Sequence, residues 1–308
     1  MKSYGIMFHH FHGGLHPLGQ GSISADDFVE MLDWLRQRYR VLDARSFYEA
    51  AVSGVLTDED TCLTFDDSLL CQYEIAAPIL ADQGVTAFYF VYSSAFTDEP
   101  DMLEIYRYFR STEFPDFDAF FDAFMSQVAI QQEETVTRAL QGFDPDQYLA
   151  DCSFYSRNDR LFRYLRDRVL TKDQYSNVMA GLMEARHFKI REVYPLIFMD
   201  SSHLVDLHSA GNVIGLHSHT HPTDMDALGV ADQRDEYRTN YAFISSTVGE
   251  EPASMAHPCG RYTPDTLQIL SDLGVRLGFR ASLSIPEAPS LLEIPREDHA
   301  NILARMRS

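Results

Sequence analysis

Two short segments concentrate side chains that can do chemistry. Thr64-Phe-Asp-Asp-Ser68 sets two carboxylates next to each other at the end of the apolar run Thr61-Cys-Leu-Thr-Phe65. Carboxylates emerging from a buried strand are costly unless a cation or hydrogen bonds compensate them. Asp-Asp-Ser is also ordinary helix-capping chemistry, so the pair alone leaves both readings open. Gly215-Leu-His217-Ser-His219-Thr-His221-Pro222 then places three imidazoles within five residues. Neutral imidazole suits Zn²⁺, Fe²⁺, Co²⁺ or Ni²⁺. His217 and His221 are four apart and Pro222 limits a helix through them, so a strand end flowing into a turn can converge the two. His219 would then point elsewhere or support them from behind, and the alternative is a run of ordinary surface histidines. Phe8-His-His-Phe-His12 offers more imidazole at the end of the first apolar run, so His9, His10 or His12 is expected to contact substrate or to pack as an ordinary buried ring.

Strand and helix patterns alternate around these segments, as a parallel sheet or barrel requires. Strands are expected over 3–11, near Val41, and over 61–65, 85–92, 212–216, 253–256, 276–281 and 291–294. Helices are expected between them; Phe28, Met31, Leu32 and Leu35, for example, fall on one face behind a capping start at Ser24. Residues from about 97 to 200 break the rhythm with helical patterns alone, at 102–109, 117–131, 160–170 and 174–185. One α/β domain spanning 1–308 with a helical insertion follows. Tyr89, Phe90 and Tyr92 read as core of the third strand. Within the insertion, Arg157, Arg160, Arg163 and Arg166 recur every three residues, with Arg168 and Lys172 close by. Such a stripe can meet the phosphates of a nucleotide- or lipid-linked substrate, or be a solvated face tempered by Asp159 and Asp167.

The 308 residues hold 46 Asp and Glu against 25 Lys and Arg, a formal charge of -21 that argues against nucleic acid as a partner. With 45% hydrophobic residues and few Gly and Pro, the chain can fill a core without staples. Cys62, Cys71, Cys152 and Cys259 form no CxxC pair and read as thiols of a cytoplasmic protein. No apolar window is long enough for a transmembrane segment, and the first residues lack the apolar core of a secretory signal.

TFDDS, followed by VTAFYFV and later by IGLHSHTHP, resembles the polysaccharide deacetylases of carbohydrate esterase family four. Met255-Ala-His-Pro-Cys-Gly260 resembles a degenerate form of that family's third motif. The resemblance covers residues 3–95 and 205–300 and implies a distorted (β/α) barrel. It implies that Asp66 is the general base and that Asp67, His217 and His221 hold one divalent metal ion, Zn above Co, Ni or Fe. It places the oxyanion-binding N–H at Cys259 and the general acid at His299. Two departures stand out: Ser68 replaces a glycine, tolerable at negative φ, and Ala256 stands where relatives carry an arginine that orients the base. Arg296 is expected to replace that arginine, with Asp298 as its partner, and His257, His10 and His12 are further substrate-contact candidates. The expected activity is removal of N-acetyl from an amino sugar or glycan in surface polysaccharide biosynthesis. Alternatives are an amidase for a cyclic amide or formamido sugar, and a silent glycan-binding barrel. The oligomeric state is left open.

Overall fold

The computed structural model describes residues 4–98, 100–149, 155–284 and 287–308. Ser3 and Cys152, named above, lie outside them. Eight strands form one parallel sheet: β1 (Tyr4–Phe8), β2 (Arg40–Val41), β3 (Asp60–Asp66), β4 (Phe88–Val91), β5 (Val213–Leu216), β6 (Ser254–Ala256), β7 (Leu277–Phe279) and β8 (Arg296–Asp298). Their order is β7-β6-β5-β4-β3-β1-β8, with β2 pairing to β3. The sheet curls into a nearly closed barrel. Between β7 and β8 the gap is bridged by the stretch before β8: Phe279 pairs with Ile294, and the Ile294 N–H donates to Gly278 O.

Alternation along β3 explains how the barrel works. Leu63 and Phe65 face outward to the covering helices, while Cys62, Thr64 and Asp66 sit on the opposite face. Phe65 stacks on Tyr89 at 4.8 Å, and Phe8 and Phe28 close the same layer. Inside, Phe88, Phe90, Phe279 and the stem of Arg296 fill the lumen. Tyr89, Phe90 and Tyr92 are all buried, as expected of a core strand.

The helices of this unit are α1 (Ala25–Arg36), α2 (Ala44–Val52) and α3 (Ala77–Asp82) before the insertion. A second compact unit, Met102–Tyr194, holds α4 (Met102–Glu113), α5 (Phe117–Gln131), α6 (Glu133–Leu140), α7 (Arg157–Tyr164) and α8 (Lys172–Ala185). It has its own core around Phe109, Phe120, Phe124, Phe162, Val178 and Met179. Helix α9 (Ile190–Ile197) crosses back to the barrel chain. There α10 (Ser201–Ser209), α11 (Val230–Val248), α12 (Pro264–Asp272) and α13 (His299–Met306) complete the alternation.

Several expected elements differ. The strand expected over 291–294 is a 3-10 turn, Leu291–Glu293, and the strand itself falls at Arg296–Asp298. Helices α6 and α9 had no expected counterpart; α9 contains Pro195 in its last turn. Among the described residues no helix is long and apolar enough to cross a membrane, and no disulfide forms.

Candidate active site

The C-terminal ends of the parallel strands all point one way, and in a barrel of this kind that end carries the chemistry. Here β1 delivers His9, β3 delivers Asp66 and Asp67, β5 delivers His217, and β6 runs into His257 and Cys259. One atom from each of Asp67, His217 and His221 lies within 4.8 Å of the others. Asp67 Oδ1 stands 3.4 Å from His217 Nε2 and 3.3 Å from His221 Nε2. All three residues are buried.

Each ligand candidate is held from behind. His217 Nδ1 donates to Ala256 O at 2.8 Å, which leaves the Nε2 lone pair facing Asp67 and His221. The backbone N–H of His217 donates to Asn240 Oδ1, while Asn240 Nδ2 donates to Val91 O, so a buried amide of α11 pins the ends of β4 and β5 together. The His217–His221 turn is tied by Glu236, which accepts from the N–H groups of His219 and Thr220 and from the Thr220 hydroxyl. His219 itself turns away and pairs with Ser93 Oγ through Nδ1. His221 packs beside the Tyr92 ring at 5.4 Å.

Asp67 Oδ1 is buried yet accepts no hydrogen bond. An orphaned carboxylate oxygen facing two imidazole Nε2 atoms is a donor set that fits a tetrahedral divalent cation with an open position. Burial alone would raise the Asp67 carboxyl, but His221, His217 and His9 beside it hold it below the usual carboxylate range. The residues present therefore suit the metal that the resemblance implies.

Asp66 sits alongside, gripped by Arg296. Nη1 donates to Oδ1 and Nη2 to Oδ2, both at 2.7 Å, in the two-pronged geometry of a guanidinium–carboxylate pair. The guanidinium is itself fixed, with Nε donating to Arg280 O and Nη1 also to Thr64 Oγ1. Burial pushes the Asp66 carboxyl up, but Arg296 and His217 more than reverse it, so the group is held ionised. Arg296 thus faces Asp66 and not Asp298, which caps α13 by accepting from the Ala300 N–H.

Other candidates lie elsewhere. Both ring nitrogens of His299 face backbone carbonyls, Nδ1 at 3.2 Å from Met7 O and Nε2 at 2.8 Å from Gly21 O, and its ring stacks on Phe8. Burial lowers its basicity, and it locks β1 to the loop before α1 rather than facing the carboxylates. His257 is likewise buried, bonded through Nε2 to Leu292 O and stacked on Tyr262, and burial drives it down to about 3, so it stays neutral and anchors the closing stretch. His12 bonds to Ser22, and the His10 ring stacks on His9. Cys259 is exposed in the turn Pro258–Gly260 that follows β6. The residue that the sequence left unresolved among three histidines is His9: its Nε2 lies 3.9 Å from Asp66 Oδ2 and 3.7 Å from Asp67 Oδ2, and a quarter of its side chain is exposed.

The sequence model of the polysaccharide deacetylase family matches residues 186–278, a stretch that includes His217, His221 and Cys259. Solved structures agree over nearly the whole chain. IcaB from Ammonifex degensii superposes with a TM-score of 0.57 at 15% identity, covering 99% of this chain and 97% of that one. The Streptococcus pyogenes deacetylase PplD, in complex with acetate, gives 0.56 at 15% identity over 96% and 91%. This is the polysaccharide deacetylase fold. The deacetylase domain of BpsB from Bordetella bronchiseptica is a further neighbour, with a TM-score of 0.51 at 15% identity over 96% of this chain and 95% of that domain. A comparison with curated protein sequences finds no match. The resemblance first drawn from TFDDS and HSHTHP to the polysaccharide deacetylases therefore holds at the level of the fold as well.

Proposed function

We propose that this chain is a metal-dependent N-deacetylase acting on an N-acetylated amino sugar of a polysaccharide or related glycan. The observation that carries the reading is the convergence of Asp67, His217 and His221 beside an Asp66 clamped by Arg296. Asp67, His217 and His221 would hold one divalent cation, with zinc the best fit to two imidazoles and one carboxylate and with cobalt, nickel or iron also accommodated. When bound, the cation supplies Lewis acidity toward the acyl carbonyl and acidifies water next to it.

The chain's own groups do the rest. Asp66 takes a proton from the attacking water as its oxygen bonds to the acyl carbon. Arg296 keeps that carboxylate ionised and aimed, so no rotamer search precedes the transfer. The resemblance assigns the oxyanion-binding N–H to Cys259. As the C–N bond breaks, the amine nitrogen needs a proton, and His9, which is not one of the candidate ligands and whose Nε2 lies 3.9 Å from Asp66 Oδ2 and 3.7 Å from Asp67 Oδ2, offers an imidazole to supply it. This assigns to His9 the role that sequence position gave to His299.

The test measures acetate released from N-acetylglucosamine oligomers by protein loaded with Zn²⁺ or Co²⁺. Asp66→Asn should cut turnover by about 10³-fold or more while metal content stays near one per chain. Asp67→Asn should lose the metal as well. Retention of full activity by Asp66→Asn would overturn the assignment of the base, and an inactive protein that binds no metal at any loading would overturn the function.

A further inference from the structure

Strands β1 and β3 pair in register from Tyr4 with Thr61 to Phe8 with Phe65, and their paired residues end there. The next residue of each chain is one that the proposed chemistry uses, His9 after β1 and Asp66 at the end of β3. A single side chain joins their backbones. Gln72 Nε2 donates to His9 O at 2.9 Å and to Asp66 O at 2.6 Å. Two carbonyl oxygens beside one nitrogen require it to be the NH2 end of the amide, so the orientation of the group follows from its partners. Gln72 is buried and opens the π-helical turn Gln72–Ala76, with its own N–H donating to Leu69 O. Beside it, Cys71 Sγ accepts from the Phe11 N–H at 3.4 Å, and the Ile23 N–H donates to His10 O at 3.2 Å. The backbone of residues 9–11 is thus tied at each step.

The other end of the same amide gains nothing. Gln72 Oε1 is buried and has no hydrogen-bond partner among the described residues. A buried acceptor without a donor opposes folding, and a methionine of similar length would avoid that cost. An apolar side chain could not, however, hold two carbonyl oxygens. The two N–H bonds of a primary amide are fixed in one plane, so donating both sets His9 O against Asp66 O. Arg296 aims the Asp66 carboxylate, and Gln72 holds the backbone that carries it. The working separation is short: His9 Nε2 stands 3.9 Å from Asp66 Oδ2. Displacing a reacting group by about 1 Å can cost about 10²-fold in rate, so a tie between these two backbones bears on turnover even though Gln72 is itself buried.

We propose that Gln72 is a positioning residue of the candidate active site, its amide setting His9 and Asp66 at their working distance. Its effect on turnover rests on the deacetylase reading, while the tie itself is measured without turnover. The experiment compares the parent with Gln72→Met, which keeps the length and removes the donors, and with Gln72→Glu, which keeps the shape but turns carboxylate oxygens toward two carbonyls. Hydrogen exchange of the full chain, followed by mass spectrometry, reads the tie. Peptides covering residues 4–14 should exchange about 10-fold faster or more in both variants, while those covering 44–52 should not change. Acetate release from N-acetylglucosamine oligomers by Zn²⁺-loaded protein reads the consequence. In Gln72→Met, kcat should fall by about 10-fold or more while KM and metal content stay within about 2-fold of the parent, and Gln72→Glu should lose more. Gln83→Met, which removes a surface amide bonded to Arg36, should leave both readouts unchanged. The proposal is overturned if Gln72→Met keeps the kcat of the parent, loses it only together with its metal, or leaves exchange of residues 4–14 unchanged. A parent that releases no acetate overturns the deacetylase reading instead, and exchange then decides the role of Gln72. Where one Gln72 variant fails to fold, the other decides.

Discussion

At the scale of single residues, the site is built on backbone that side chains ordinarily avoid. Asp67, Ser68, Ser218, His221 and Cys259 have φ of 77°, 60°, 66°, 54° and 52°. A non-glycine residue there costs about 1–2 kcal/mol. Ser68 was expected to be a mild change for glycine at negative φ, but its φ is positive, so the substitution carries strain. That strain is met in part by Ser68 Oγ, which accepts from the Tyr92 N–H at 3.2 Å, and Ser218 Oγ accepts from the His221 N–H in the same way. Asp67 and His221 reach the candidate ligand cluster through these turns, which aim side chains close in sequence into one space. Cys259 is exposed, so its thiol is not packed into the core. Cys259→Gly should therefore raise stability by about 0.5–1 kcal/mol, the strain relieved less the added freedom of the unfolded chain. Ser68→Gly should be near neutral, because relief is offset by an N–H left without its acceptor. Thermal unfolding of the two variants checks this, and a Cys259→Gly protein less stable than the parent would contradict it.

At the scale of elements, charge pins the start of the strand whose far end carries the candidate pair Asp66 and Asp67. Asp60 opens β3 with its side chain buried, accepting from Arg40 Nε of β2 at 2.5 Å, from the Thr57 N–H at 2.7 Å and from the Thr57 hydroxyl at 3.0 Å. The Arg40 hydrogen bond, helped by those from Thr57, outweighs burial and lowers the Asp60 carboxyl. A carboxyl depressed in the folded state stabilises it above the unfolded value near 3.9, and that contribution is lost as pH falls through the folded value. Asp60→Asn should cost about 1.5–3 kcal/mol at pH 7, with the deficit shrinking below about pH 4. Urea midpoints at pH 7 and pH 3.5 measure it; a deficit that grows in acid would refute the linkage. The same strand shows what a sequence discloses. Alternation in β3 and the pairing of DD with HSHTH were legible, because buried parity and ligand spacing leave marks on neighbouring letters. Strand β8 was not, since Arg-Glu-Asp reads as surface. The resemblance pointed to Arg296 as the arginine for Asp66, but only the fold shows that this residue lies in a strand, with Arg296 turned inward to Asp66 and Glu297 outward to Arg305 and Asn301. Likewise FHHFH could not say which imidazole faces the carboxylates, and His299 looked available until its two carbonyl partners were in place. Gly215 is a third hidden constraint: a Cβ there would meet Phe90 at 2.7 Å and Ser254 O at 2.8 Å, so β5 can deliver His217 only as glycine lets it lie close.

At the scale of the molecule, the candidate ligands tie together parts of the chain that lie far apart in sequence. Asp67 follows β3 and the two histidines follow β5, with the whole of the helical unit between them in the chain. The unfolded chain has no such preformed site, so a cation bound there adds its binding free energy to the folded barrel. At a free concentration 100 times the dissociation constant this is about 2.7 kcal/mol. A domain of this size converts each kcal/mol into about 2–4 °C of Tm, so loading should raise the barrel's transition by about 5–10 °C and chelation should lower it again. The Met102–Tyr194 unit has its own hydrophobic core and no part in the ligand set, so any separate transition belonging to it should not move. Calorimetry with Zn²⁺ and with chelator, on the parent and on Asp67→Asn, separates the cases. The parent should shift and Asp67→Asn should not. An equal shift in both would mean that the ion binds elsewhere, and that the orphaned oxygen of Asp67 is not its ligand.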